Sequence, residues 1–240
     1  LHHDIYIANL LIGMYRNCGS SEHAKLVFER MPERSVVSWT VMMSACIRKD
    51  KIHSHEAFHV YEEMKRQGFI PNRVTLLTLL KACVDETTWI YGKMIHDHVV
   101  SCDLYYGDLS LATSLVNMYA KCGSLSKARS VLHELPARDV VSWMAIIAGY
   151  VQHGQPEEAL YCFHIMQLDD GVSPDAITFV YALKSCANIK DICKGRELHN
   201  QIKRNSLQHD LLVCTGLVDM YAKCGFLAKA KEVFDEIHTQ

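Results

Sequence analysis

The residues of this 240-residue chain best suited to chemistry are its ten cysteines and fourteen histidines. Two clusters resemble ligand sets: His53-Ser54-His55-Glu56 and His96-Asp97-His98. A structural zinc site needs four convergent donors, and cysteines at short spacing usually supply part of the set. No Cys-x-x-Cys occurs here. His96 follows Gly92 as His199 follows Gly195, so it belongs to a repeated pattern rather than to a unique centre. Cys18, Cys122 and Cys224 are likewise one position copied three times. Cysteine is among the most buried residue types. The expectation is therefore reduced thiols packed between helices in a reducing compartment, with no metal, no cofactor and no catalytic set.

The elements that must position these residues follow from the copying itself. Met14-Tyr15-Arg16-Asn17-Cys18-Gly19 returns as Met118-Tyr119-Ala120-Lys121-Cys122-Gly123 and as Met220-Tyr221-Ala222-Lys223-Cys224-Gly225. The cysteines lie 104 and then 102 residues apart. The same long period links Ser38-Trp39 to Ser142-Trp143, and Leu80-Lys81-Ala82-Cys83 to Leu183-Lys184-Ser185-Cys186. A fixed long period means an array of stacked units. Seven units are expected, at 5–35, 36–72, 73–108, 109–139, 140–175, 176–210 and an incomplete 211–240. The first six contain 31, 37, 36, 31, 36 and 35 residues, so a short unit is followed by two longer ones.

Residues 140–175 show the plan of one unit. Trp143, Ile146, Ile147 and Tyr150 recur at helical spacing, and Gly154 stops the helix. Pro156 suits a first helical turn, and Glu157 and Glu158 suit the positive end of the helix dipole. Ala159, Phe163 and Met166 continue the apolar spacing until Gly171 and Pro174. Each unit is thus a helix–turn–helix hairpin that cannot bury its apolar face alone, so neighbours must stack. The fold class predicted is an all-α, right-handed superhelical solenoid of about fourteen helices.

Composition agrees with a folded chain: 49% of residues are apolar and 22% are charged. No apolar run reaches the 18 residues or more of a membrane-spanning helix, so no membrane partner is expected. The formal net charge of −2 carries no electrostatic signature of a nucleic-acid binder. Leu1 opens inside the repeat pattern without an initiator Met, which predicts a piece of a longer chain.

The run Val140-Val141-Ser142-Trp143 to Gly149-Tyr150, followed by Gly154-Gln155-Pro156-Glu157-Glu158-Ala159-Leu160, resembles the pentatricopeptide repeat. The alternating unit lengths, the Met-Tyr-Ala-Lys-Cys-Gly motif and the Gly-x-x-x-His pattern are similar to its plant organellar subclass with mixed long and short motifs. The tetratricopeptide repeat, with a constant 34 residues, fits less well. The resemblance implies binding of single-stranded RNA at one base per repeat. It also implies a role as site-recognition factor in organellar RNA modification, most often C-to-U editing, in mitochondrion or chloroplast. Editing-complex proteins would be further partners.

In that family the fifth residue of a unit and its last residue choose the base. Carried over, the pairs are Asn9 with Ser35, Thr40 with Asn72, Thr113 with Asp139, and Met144 with Asp175, while Thr215 heads the last unit. The remaining units carry Leu77 with Asp108 and Val180 with Asp210, and an apolar fifth residue can neither donate nor accept a hydrogen bond. Second residues such as Val37, Val141 and Ile177 would wedge bases apart; Ser110 departs from that pattern. Thr40, Thr113, Asn72 and Asp175 also fit plain helix caps or turns. Arg16, Lys121 and Lys223, with Lys81 and Lys184, could meet phosphates or simply suit helix C-termini. Some members of the family end in a cytidine-deaminase-like domain with His-x-Glu and Cys-x-x-Cys elements. Neither occurs in these residues, so no enzyme is expected within them. A protein-interaction scaffold, or a factor in RNA splicing or stability, remains the alternative.

Overall fold

The computed structural model describes residues 2–47, 54–83, 85, 87–101 and 108–238. These form fourteen helices and no strand. First helices are α1 (His2–Asn17), α3 (Val36–Cys46), α5 (Arg73–Ala82), α7 (Leu109–Lys121), α9 (Val140–Gln152), α11 (Ala176–Ile189) and α13 (Leu211–Lys223). Second helices are α2 (Ser21–Glu29), α4 (Ser54–Arg66), α6 (Trp89–Ser101), α8 (Leu125–Glu134), α10 (Pro156–Leu168), α12 (Ile192–Arg204) and α14 (Leu227–His238). The chain divides into two compact bodies, Leu1–Cys122 and Gly123–Gln240. His53 of the first histidine cluster lies outside the described residues.

Local sequence explains where the helices begin. Ser35, Asn72, Asp108, Asp139, Asp175 and Asp210 each stand before a first helix and accept a hydrogen bond from a backbone N–H of its first turn. Such caps satisfy donors the helix itself leaves unpaired and contribute about 1 kcal/mol each. At Ser35 and Asp139 the third helical residue, Ser38 or Ser142, also accepts from the cap's own N–H, closing a capping box. The first helix α1 begins at His2, three residues before the expected 5, with its apolar positions in the same register. Helix α9 ends at Gln152, and just beyond it Gly154, with φ of 71°, lets the Gln155 N–H reach back to the Tyr150 carbonyl at 2.9 Å.

In the N-terminal body α1 packs on α2 and α3, α3 on α4 and α5, and α5 on α6 and α7. Its core carries Phe28 edge-on to Trp39, ring centroids 4.8 Å apart, and Trp39 against Phe69 at 6.0 Å. In the C-terminal body α9 packs on α10 and α11, and α11 on α12 and α13. Trp143, Ile146, Ile147 and Tyr150 of α9 and Ala159, Phe163 and Met166 of α10 are all buried, and Phe163 meets Phe179 of α11 at 5.6 Å. Among the described residues no helix is long and apolar enough to cross a membrane.

Candidate nucleic-acid interface

The last residue of each unit serves as a helix cap, and the cap leaves some atoms free. Asn72 Oδ1 accepts from the Thr75 N–H and from the Thr75 hydroxyl, both at 3.0 Å, which turns its Nδ2 outward as a donor. Asp139 Oδ1 accepts from the Ser142 N–H at 2.8 Å, and Asp175 Oδ1 accepts from the N–H and hydroxyl of Thr178 at 2.8 and 2.6 Å. In both aspartates Oδ2 makes no hydrogen bond among the described residues. Ser35 is more engaged, since its Oγ accepts from the Ser38 N–H at 3.2 Å and lies 3.1 Å from the Ser38 hydroxyl.

Asp108 differs. Its Oδ1 accepts from the N–H groups of Ser110 and Leu111, and both oxygens also meet the Arg73 guanidinium. That guanidinium, helped by the backbone donors, holds the Asp108 carboxyl below the usual carboxylate range. The cap of a unit with an apolar fifth residue is thus closed by a cation from within its own body.

The fifth residues are placed less uniformly than their shared register suggests. Thr40 is only 8% exposed. Its hydroxyl lies 2.8 Å from the Val36 carbonyl and 2.8 Å from Thr75 Oγ1, which in turn donates to Asn72. Thr40 and Asn72 are therefore joined through Thr75, a residue the sequence reading did not single out. Its only signal is that it lies three places after the cap, where N-cap side chains find a partner. Asn9 and Thr113 are half-buried, and their side-chain oxygens are shielded without a hydrogen-bond partner. Met144, Leu77 and Val180 are half-buried too, whereas Thr215 is exposed and donates to the Leu211 carbonyl at 2.7 Å.

The second residues give the most regular signal. Tyr6, Val37 and Val74 in the N-terminal body and Val141, Ile177 and Leu212 in the C-terminal body are each between 46% and 64% exposed. Ser38, Trp39, Ser142 and Trp143, one or two places further on, are almost wholly buried. Ser110, the polar exception, is exposed as well. A large apolar side chain repeatedly left in water at one register position is not explained by core packing. Tyr6, Val74 and Leu212 were recoverable by counting from each unit's start.

Second helices carry both signs of charge. Glutamates of second helices meet cations of their own body: Glu62 with Lys65 at 2.9 Å, Glu63 with Arg66, and Glu158 with Arg129 at 3.6 Å. At the ends of first helices Lys81, Lys121 and Lys184 are exposed with no ion-pair partner among the described residues. Arg16 instead donates to Ser44 at 2.8 Å, and Lys223 pairs with Asp219 at 2.8 Å.

The residues that suggested metal chemistry are used structurally. His96 is buried with Nδ1 3.0 Å from the Tyr119 hydroxyl, and His199 repeats this with Tyr221 at 2.9 Å. His55 packs edge-on to Tyr91. Burial pushes the thiols of Cys46, Cys162 and Cys186 up to about 12 and that of Cys122 to about 11, far from thiolate formation at neutral pH. No group of three His, Cys, Asp or Glu residues suited to hold a metal occurs among the described residues.

Comparison with known proteins agrees with the fold. A family model described as the PPR repeat family matches residues 34–85 and 138–188, and the PPR repeat model matches 6–36, 111–140 and 213–240. A chloroplastic pentatricopeptide repeat-containing protein of Arabidopsis thaliana is 35% identical over 98% of this chain and 37% of its own length. A mitochondrial relative from the same plant is 38% identical over 97% of this chain and 36% of its own. The chain thus spans about a third of the length of the curated relatives it matches. The crystal structure of the pentatricopeptide repeat protein PPR10 from maize shares the fold, with a TM-score of 0.68 at 19% identity over 97% of this chain and 38% of that one. PPR10 in complex with an 18-nt psaJ RNA element gives 0.69 at 20% identity over 97% and 34%. With its repeats matched one after another by the family's own models, this all-α chain belongs to the pentatricopeptide repeat family.

Proposed function

We propose that the chain binds single-stranded RNA, one base per repeat, and specifies a site on an organellar transcript. The observation that carries this reading is the exposed apolar side chain at the second position of six units, three of which, Val74, Val141 and Ile177, stand two residues after a cap that keeps a polar atom free. Apolar and aromatic side chains separate and stack splayed bases, and the free polar atoms can address Watson–Crick edges. The chemistry of the caps divides them. Outward Nδ2 of Asn72 donates, which suits the N1 acceptor of adenine, while Oδ2 of Asp139 and of Asp175 accepts, which suits the N1–H of guanine or the N3–H of uracil. Uncompensated Lys81, Lys121 and Lys184 can meet phosphates, which answers the chain's slightly negative net charge.

The finer role we propose is that of address reader for C-to-U editing in mitochondrion or chloroplast, acting with editing-complex proteins. The alternation of short and long units, typical of the subclass with mixed motifs, supports it, as do the compartments named for its relatives. RNA bound to PPR10 supports the coarser reading of an RNA-binding solenoid. Read with its 5′ end at the N-terminal repeats, the site is C-A-n-G-(U)-n, with n at the units headed by Leu77 and Val180.

The test is Asn72→Asp, measured against four RNAs that differ only at the second base, at one salt concentration because affinity depends steeply on salt. The substitution keeps a capping oxygen and turns the outward donor into an acceptor. Preference is expected to move from A toward G by roughly 1–3 kcal/mol, with the other positions unchanged. Uniform loss across the four RNAs would make Asn72 a cap alone. No binding by any of them would leave a protein scaffold as the reading.

A further inference from the structure

The N-terminal body contains a cleft of about 730 Å³ between α2, α3 and α4, with Trp39 in its lining. Trp39 is 1% exposed, and its indole Nε1 has no hydrogen-bond partner among the described residues. Buried donors are nearly always paired, so an orphan of this kind calls for an explanation. The same chain shows what such an indole takes when it is paired. In the C-terminal body Trp143 Nε1 donates to Asp170 Oδ2 at 2.6 Å, and Arg138 Nε lies 3.4 Å from that same oxygen. A carboxylate is clamped there between an indole N–H and a guanidinium.

Each member of that clamp has a counterpart at the cleft except the carboxylate. Trp39 corresponds to Trp143, and Arg34 to Arg138, each five residues before its tryptophan. Asp170 stands directly before Gly171, which follows α10 with φ of 61°, and Gln67 stands directly before Gly68, which follows α4 with φ of 81°. Gln67 is turned away, its Nε2 donating to Glu63 at 2.7 Å. Arg34, left without the carboxylate, donates to the Phe28 and Glu29 carbonyls at 3.2 Å and lies over the Trp39 ring, 5.8 Å from its centroid. Because that nitrogen is sealed from solvent, a carboxylate entering from the cleft must displace the side chains over it; it would then take the indole N–H and draw Arg34 into the stance of Arg138.

The rest of the lining says what must accompany that carboxylate. Glu22, Glu29, Glu56 and Glu63 line the cleft, Glu63 already paired with Arg66, against two further fixed cations, Lys25 and Arg34. A bare anion would meet that ring of like charge, whereas a carboxylate flanked by cations complements it. We propose that this cleft docks a peptide segment in which an aspartate or glutamate is flanked by lysine or arginine, its carboxylate held between Trp39 and Arg34 as Asp170 is held between Trp143 and Arg138. The site is built mainly from second helices and is separate from the cap and second-position residues assigned to RNA.

The probe is the pentapeptide acetyl-Lys-Lys-Asp-Lys-Lys-amide, titrated into the whole 240-residue chain while the indole N–H resonances of Trp39, Trp89 and Trp143 are followed by NMR. The Trp39 signal is expected to move downfield and saturate, and Trp143, already paired, to stay in place. The same peptide with Asn for Asp is expected to bind at least about tenfold more weakly, since it loses a charge-assisted hydrogen bond. In Gln67→Asp the chain's own carboxylate occupies the site, so the Trp39 signal starts displaced and does not respond. An unmoved Trp39 signal, an equal response to the Asn peptide, or a response that survives Gln67→Asp would each overturn the proposal. So would an equal effect of acetate, which would mark an adventitious anion only, or of single-stranded RNA in place of the peptide.

Discussion

At the end of the third repeat unit His96 Nδ1 meets the Tyr119 hydroxyl at 3.0 Å, with the rings edge-on at 68°, and at the end of the sixth His199 meets Tyr221 at 2.9 Å and 67°. Gly92 lies under Met118 as Gly195 lies under Met220. These two junctions, one in each body, reproduce each other almost atom for atom. The tryptophan sites do not: Trp143 is paired with Asp170, and Trp39 is left beside a cleft. At the junctions every partner is a fixed repeat position, the Gly-x-x-x-His of one unit and the Met-Tyr of the next. At the tryptophans one partner is a variable residue before the helix-ending glycine. A single change there, Gln67 for Asp170, decides whether a buried donor is satisfied.

The largest test of this contrast is Gly92→Ala beside Gly195→Ala. An added Cβ would lie 2.3 Å from Met118 Sδ in one and 2.5 Å from Met220 Sδ in the other. Each is expected to cost about 3 kcal/mol, the upper end for overpacking, because both methionines are themselves enclosed. Thermal unfolding followed by circular dichroism should show similar losses. Adding Met118→Ala to Gly92→Ala should be less than additive, as contacting residues are coupled. A loss at only one glycine would break the parallel between the junctions.

Smaller, and opposite in kind, is the pair Asp170→Ala and Gln67→Ala. The first strips the acceptor from Trp143 and Arg138 and is expected to cost about 1–2 kcal/mol. The second removes no contact to Trp39 and should stay within about 0.5 kcal/mol. Amide exchange resolved by helix should place the loss in α9 and α10 and leave α3 and α4 unchanged. Equal effects would mean that the tryptophan sites are alike after all.

The smallest effect concerns pH. Burial chiefly, with Lys203 and Lys229 nearby, holds His199 below the ordinary histidine value, against the weaker opposing pull of Glu236 and Glu232. The unfolded chain therefore takes up a proton first as pH falls below about 6.5. Stability is full above that value and declines as pH drops from there toward the lower folded value. Melting curves of the parent chain between pH 7.5 and 5.5 should show this decline, and His199→Gln should flatten part of it. An unchanged slope in the variant would remove His199 as its source.

Much of the architecture was readable from the order of residues alone. The long period, the proline and glycine punctuation and the 3.6-residue apolar spacing specified seven helical hairpins, because each signal acts within a few residues of where it is written. Caps such as Asn72 and Asp175 were visible for the same reason: a cap side chain bonds the helix that follows it directly. The base-reading role proposed for them is only what the family resemblance implies. That Oδ1 is consumed and Nδ2 or Oδ2 left free depends on which way each side chain turns.

What only the tertiary structure decided involves partners far apart in the chain. Thr40 is buried because Thr75, 35 residues away, reaches its hydroxyl, and Asp108 is closed because Arg73, also 35 residues away, meets it. Trp39 and Trp143 have the same neighbours in sequence, Ser38 and Ser142, and look identical there. Their difference arises 27 residues downstream of Trp143, where Asp170 returns to its indole, and at Gln67, which does not return to that of Trp39. Local signals fix where helices start and stop because backbone hydrogen bonds are short-range. Whether a buried polar atom finds its partner depends on where stacking brings the next helix, and that is settled only when the repeats pack.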